Sequence, residues 1–287
     1  MEIYQLRHFL AVAEIGSFTK AAARVHITQP ALSGSVSRLE AELGAQLFVR
    51  GRKPLVLTPA GQRLFSEGTQ IVRTCDRVKA DIAGNSAPTR LRLGVVRTFP
   101  THQLVSLLRS FRTKLPELQF EIAEGSAEEL DDKLKCSKLD VLLTILDDGP
   151  RQGTSDVPLV EERYLLYVSA ESPLAFQKDL TMSALSGQPF IVRTACETFA
   201  ATTKLMKERG IHTQIVCRSN QDDRVLELVR EGIGVALMPE LFDAPGVVRI
   251  QLSDYQVRRS IGLRWLQSGA SEAVELFAAI AADHRWS

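Results

Sequence analysis

Gln29, Ser33 and Ser37 recur every four residues, with Arg38 next to the last, in a stretch that otherwise repeats leucine and valine. An amide, two hydroxyls and a guanidinium on one face suit nucleic-acid recognition. Gln can bond adenine at two positions, hydroxyls serve bases or phosphates, and Arg holds phosphates. Thr28 and Pro30 lie at the start of the same stretch, where Pro30 can offer an apolar contact to a thymine methyl.

The elements that must hold these groups are legible around them. Ser17 stands where an N-cap belongs, before Phe18, Ala21 and Ala22 at helical spacing. The pattern breaks at Val25-His26-Ile27, Thr28 is a fresh N-cap, and Pro30 falls in the first turn, where its missing N–H costs nothing. Leu32, Val36, Leu39 and Leu43 then form a single stripe expected to be buried. This predicts a helix-turn-helix whose second helix enters the major groove. Leu6, Phe9, Leu10 and Ala13 predict an earlier helix that completes a three-helix core. Two β-like runs, 47–49 and 55–58, flank a basic Gly/Pro turn and read as a hairpin wing, with Arg50, Arg52 and Lys53 suited to phosphates or a minor groove.

Residues 1–90 resemble the N-terminal half of a LysR-type transcriptional regulator. The resemblance rests on Leu6-Arg7-His8-Phe9, Gly16-Ser17-Phe18-Thr19-Lys20-Ala21-Ala22, Thr28-Gln29-Pro30-Ala31-Leu32-Ser33, Leu39-Glu40, Leu43-Gly44, Leu47-Phe48 and Leu57-Thr58-Pro59-Ala60-Gly61. Gly34 departs from it: the family usually carries a longer side chain there, and Gly removes one base or phosphate contact. The resemblance implies double-stranded DNA as a partner, a homodimer paired through a linker helix, a homotetramer as the working form, RNA polymerase as a further candidate partner and a small-molecule effector. No cofactor is implied.

Composition agrees with that reading. A chain of 287 residues with 45% hydrophobic and 24% charged residues is that of a soluble protein of two or three domains. Residues 1–90 hold 12 Lys/Arg against 7 Asp/Glu, and the remainder 23 against 27, so only the first part suits a polyanion. Neither a signal peptide nor a membrane-spanning run is evident, and a cytoplasmic location is expected.

The expected architecture is an all-α winged helix-turn-helix with a long linker helix, followed by a two-lobed α/β effector domain like a periplasmic binding protein. The expected boundaries are 1–58 for DNA binding, 59–87 for the linker helix and hinge, and 88–287 for effector binding. Lobe I is placed at about 88–161 and 266–287, and lobe II at about 162–265. In the linker, Leu64, Ile71 and Val78 repeat every seven residues, as do Gly68, Cys75 and Ile82, which marks heptad positions for pairing. Gly84-Asn85-Ser86-Ala87-Pro88 reads as the hinge.

Beyond residue 90, strands and helices alternate, implying parallel sheets with crossover helices. Ligands of such sheets bind at the carboxyl ends of strands, beside helix starts. This selects Arg97, Thr98, Phe99, Ser126, Thr144, Arg193 and Thr194. Hydroxyls and amides at helix starts, with Arg97 or Arg193 near, favour a small anionic effector. Thr98, Ser126 and Thr194 are also the positions the family resemblance implies.

Two other readings stand beside this one. Cys196, near a helix start and close to Arg193, and Cys217 would be the pair in a redox sensor, though the surrounding residues do not reproduce the peroxide-sensor motif. A small-molecule receptor without a DNA role would account for the lobes but not for residues 1–60. No catalytic motif and no metal-ligand spacing of His or Cys occurs, so no enzyme is expected.

Overall fold

A computed structural model describes the chain except residues 50–54, 83–89, 147–148, 150, 152, 268–270 and 287, and the side chains of 73, 77, 80 and 81. Arg50, Arg52, Lys53 and the hinge residues 84–88 therefore lie outside the described residues. The chain divides into two compact bodies, one carrying helices α1–α4 and the other the strands and most of the remaining helices.

In the first body, α1 (Ile3–Ile15), α2 (Phe18–Arg24) and α3 (Gln29–Leu43) pack around Leu6, Phe9, Val12, Ala21, Leu32, Val36 and Leu39. The caps form as their residue types require. Ser17 Oγ accepts from the Lys20 amide and Thr28 Oγ1 from the Ala31 amide, each at 3.4 Å. Leu47 and Phe48 join the apolar core. Phe48 reaches Phe9 and Phe18, with ring centroids 5.4 and 5.6 Å apart. The expected stripe stops early: Leu43 is 42% exposed, because it ends α3 just before Gly44 turns left-handed.

The hairpin flanks are paired, Phe48 against Leu57, with Val49 N donating to Val56 O at 2.8 Å. Helix α4 (Pro59–Ile82) starts directly beneath them. A Cβ at Gly61 would meet the Leu47 carbonyl oxygen at 2.1 Å, so only glycine allows this approach. Phe65 and Val72 of α4 are buried against the three-helix core. Gly68 faces Leu6, 3.3 Å from where its Cβ would stand, which corrects its assignment to the pairing seam. The other edge is open: Ile71, Val78 and Ile82 are 38, 46 and 83% exposed.

Among the described residues the second body holds a seven-stranded mixed sheet and a separate two-stranded parallel one, where parallel sheets were expected. Strands β1 (Arg90–Val96), β2 (Gln119–Gly125) and β3 (Val141–Ile145) are parallel, with α5 (Thr101–Lys114) and α6 (Ala127–Lys135) as crossovers. The long β4 (Thr154–Ser169) then runs from this sheet into the second lobe. There β5 (Pro189–Arg193), α7 (Phe199–Glu208), β6 (Gln214–Ser219) and α8 (Asp222–Arg230) follow, with β7 (Ala236–Pro239) and β8 (Val247–Ile250) antiparallel to β4. Strand β9 (Arg258–Leu266) returns antiparallel to both β4 and β3, and α9 (Glu272–Ala282) closes the first lobe. The return to the first sheet thus begins at β9, earlier than the 266 expected, because one continuous strand makes the crossing. Antiparallel pairing follows from two strands crossing between lobes in opposite directions.

Candidate nucleic-acid interface and effector cleft

On α3, Gln29, Pro30, Gly34, Ser37 and Arg38 are exposed, as is the capping Thr28, and Ser33 is half-buried. One serine of this helix turns the other way. Ser35 is buried and its Oγ is 2.8 Å from Nδ1 of His8 on α1, a polar tie across the core that the leucine spacing did not signal. Burial pushes the His8 imidazole below its ordinary range, so it is neutral at pH 7. At the far end, Glu40 Oε1 accepts from the Leu47 amide at 2.7 Å and holds the hairpin against α3. A Cβ at Gly34 would meet nothing within 4 Å, so the surface there is smooth and open.

The second cluster lies where β4 and β9 cross. Arg259 is buried, with four oxygen partners. Its Nη1 donates to Thr98 Oγ1 at 2.8 Å and to Glu197 Oε1 at 2.7 Å, Nη2 donates to the Thr98 carbonyl at 2.9 Å, and Nε donates to Glu162 Oε1 at 2.8 Å. Tyr164 donates its hydroxyl to the same Glu197 oxygen at 2.5 Å. Thr98 follows β1 in the first lobe, Glu197 precedes α7 in the second, and Arg259 stands on the crossing strand. One guanidinium therefore bridges both lobes. Burial disfavours the ionised Glu197, yet Arg259 and the Tyr164 hydroxyl outweigh it and hold this carboxyl below its ordinary range. Burial pushes the Tyr164 hydroxyl up, so it stays a donor.

The residues chosen from the sequence divide. Thr98 and Arg193 reach this region, but neither is open to a ligand. Arg193 donates to Asp222 Oδ1 from Nε at 2.8 Å and to Asp222 Oδ2 from Nη2, while Nη1 donates to the Leu237 carbonyl at 3.2 Å. The expectation of a free guanidinium for an anion is corrected accordingly. Arg97 pairs with Glu129 at 3.3 Å. Ser126 caps α6: its Oγ accepts from the Glu129 amide, and Glu129 accepts in turn from the Ser126 amide. Phe99 is core, edge-on to Trp286, and Thr144 is buried in β3 opposite Gly262. Thr194 is exposed, its amide donating to the Ser219 carbonyl at 2.8 Å. At the starts of α6 and α8 the first turn already carries carboxylates of the chain itself, Glu129 at α6 and Asp222 and Asp223 at α8, whereas the first turns of α5 and α7 carry none.

Residues 3–62 match the model of the bacterial regulatory helix-turn-helix protein of the lysR family, and residues 84–286 match the LysR substrate binding domain. The chain belongs to the LysR family. It is a LysR-type DNA-binding transcriptional regulator with an effector-binding domain. It is 27% identical over 274 residues to the uncharacterized HTH-type transcriptional regulator YybE of Bacillus subtilis (strain 168), covering 93% of each chain. It is 29% identical over 245 residues to the nitrogen assimilation regulatory protein nac of Klebsiella aerogenes, covering 84% of this chain and 79% of that one. A full-length cysteine variant of OxyR from Pseudomonas aeruginosa has the same fold, with a TM-score of 0.68 at 21% identity over 98% of both chains.

In this LysR-type effector domain, Cys196 and Cys217 pack into different clusters. Cys196 lies against the cluster of Val192 and Leu237, whereas Cys217, opposite Ile191 in the β5–β6 register, lies against that of Val225 and Val229. A disulfide would have to join opposite faces of a two-stranded sheet, so the redox alternative is not favoured. Among the described residues no group of three or more His, Cys, Asp or Glu could hold a metal ion, and no helix is long and apolar enough to cross a membrane.

The bridge residues Glu162, Glu197, Tyr164 and Arg259 escaped the sequence reading. A period-two signal was available for two of them. Arg259 shares a strand face with Ile261 and Leu263, and Glu162 shares one with Tyr164 and Leu166.

Proposed function

We propose that the regulator reads DNA with the exposed side of α3. Gln29, Pro30 and Ser33 address base edges. Thr28, Ser37 and Arg38 address bases or nearby phosphates, and Arg50, Arg52 and Lys53 serve the wing. Two copies pair along the open edge of α4 and present two recognition helices to a pseudo-palindromic site, with a tetramer as the working form in the cytoplasm and RNA polymerase as a further partner. The effector is a small carboxylate that takes the place of the Glu197 carboxylate on Arg259 and Thr98. The observation carrying this reading is that Arg259 joins Thr98 and Glu197 across the two lobes. Replacing one carboxylate by another preserves the charge balance at Arg259 while freeing the loop before α7.

Titration of small mono- and dicarboxylates into wild type and Glu197→Ala tests the exchange. Removing the internal competitor should tighten the best carboxylate several-fold. Equal affinity for the two proteins rejects the exchange.

A further inference from the structure

The second lobe holds a cavity of about 160 Å³ beneath α7, over the β5–β6 sheet. Its walls include Phe190, Val192, Phe199, Met206, Ile215 and Leu237, so they are mostly apolar. Helix α7 has no buried residue, and two apolar residues of the lining, Phe199 and Ile215, are 39 and 48% exposed. A helix packed over an apolar sheet without burying one side chain leaves space that the chain does not fill.

The polar groups around the cavity are largely satisfied by one another. Arg193 is held by Asp222, Tyr255 shares a hydrogen bond of 2.7 Å with Thr202, and Cys196 Sγ lies 3.2 Å from Thr198 Oγ1. Arg218 stands exposed at the rim. A ligand that brought its own charge inside would lose hydration and find Arg193 already neutralised. The size is equally selective, since an apolar protein cavity of about 150 Å³ stays dry and takes benzene.

We propose that this cavity is a binding site for a small uncharged aromatic molecule, from benzene to phenol in size. The threonine hydroxyls along α7 keep spare lone pairs and can accept from one phenolic hydroxyl. The site is separate from the bridge at Arg259 and does not depend on how DNA or a carboxylate effector is bound. It adjoins that bridge, because Cys196 of its wall is 4.0 Å from the Tyr164 hydroxyl that holds Glu197.

Calorimetric titration of the full-length protein with phenol, toluene and benzoate tests the proposal. Phenol and toluene should bind saturably with Kd below about 1 mM, and benzoate should displace phenol at least tenfold more weakly than toluene does. Thr203→Phe and, separately, Met206→Phe place a ring in the cavity and should weaken phenol at least tenfold while DNA binding is retained. Two variants are used so that misfolding of one leaves the other informative. Absence of phenol binding, displacement of phenol by benzoate as readily as by toluene, or phenol binding unaffected by either filled variant overturns the proposal.

Discussion

Arg259 holds Thr98 twice, by the side-chain hydroxyl at 2.8 Å and by the backbone carbonyl at 2.9 Å. The loop after β1 is thereby fixed to a strand that belongs to both lobes. Arg259→Ala leaves Glu162 buried without its charge partner and should cost about 3–5 kcal/mol of unfolding free energy. Thr98→Val removes only the hydroxyl and should cost about 1–3 kcal/mol, since the carbonyl still accepts. Chemical denaturation of both variants checks the order. A Thr98→Val effect as large as that of Arg259→Ala would show that the hydroxyl, not the charge, carries the bridge.

The Glu197 carboxyl is held below its ordinary value in the folded protein, so the unfolded chain binds its proton first as pH falls. Its contribution is complete above the unfolded value of about 4.5 and is lost as pH falls through the lower folded value. Glu197→Gln should therefore flatten part of the acid limb of stability below pH 4.5 and leave the curve near pH 7 parallel to wild type. Denaturant midpoints measured across that range give the answer, and an unchanged acid limb would remove Glu197 from the bridge.

Gln29 is exposed at the first position of α3 and makes no contact that the core needs. Gln29→Ala should weaken binding to the selected operator by about 1–3 kcal/mol and spare random DNA. Competition binding on both DNAs at one salt concentration decides it. Equal losses on both would mean that Gln29 serves affinity rather than sequence.

The open edge of α4 gives a test of assembly. Val78→Asp places a charge on a surface already in contact with water in the single chain, so the monomer fold should be unaffected. If two chains pair along this edge, sedimentation should shift from dimer or tetramer toward monomer. Unchanged sedimentation would move the pairing surface elsewhere.

The DNA-binding body was legible because its signals are local. Ser17 and Thr28 cap the helices they precede, and Leu32, Val36 and Leu39 repeat at helical spacing within one element. The effector cleft was legible only in outline. Thr98 could be placed at a strand end, but its partner Arg259 is 161 residues away, and only its period-two register with Ile261 and Leu263 separates this buried arginine from its exposed neighbour Arg258. For the same reason β8, β9 and α9 went unseen, and the antiparallel pairing of the crossing strands was not anticipated. Arg193 was chosen correctly as a strand-end residue, but its pairing with Asp222 depends on how α8 docks. Gly68 shared a heptad with Cys75, yet it lies three residues after Phe65 and four before Val72, on the face those two bury, and so meets Leu6.

Gly61 makes α4 a lever. Over its 24 residues the helix is about 36 Å long, and at its first turn no side chain separates it from the Leu47 backbone. A tilt of about 5° at that joint displaces the far end by about 3 Å. Read in reverse, a displacement of that size imposed on Ile82 returns to the hairpin and α3 as a small rotation. Two recognition helices linked through such levers would change their separation without either changing its own fold.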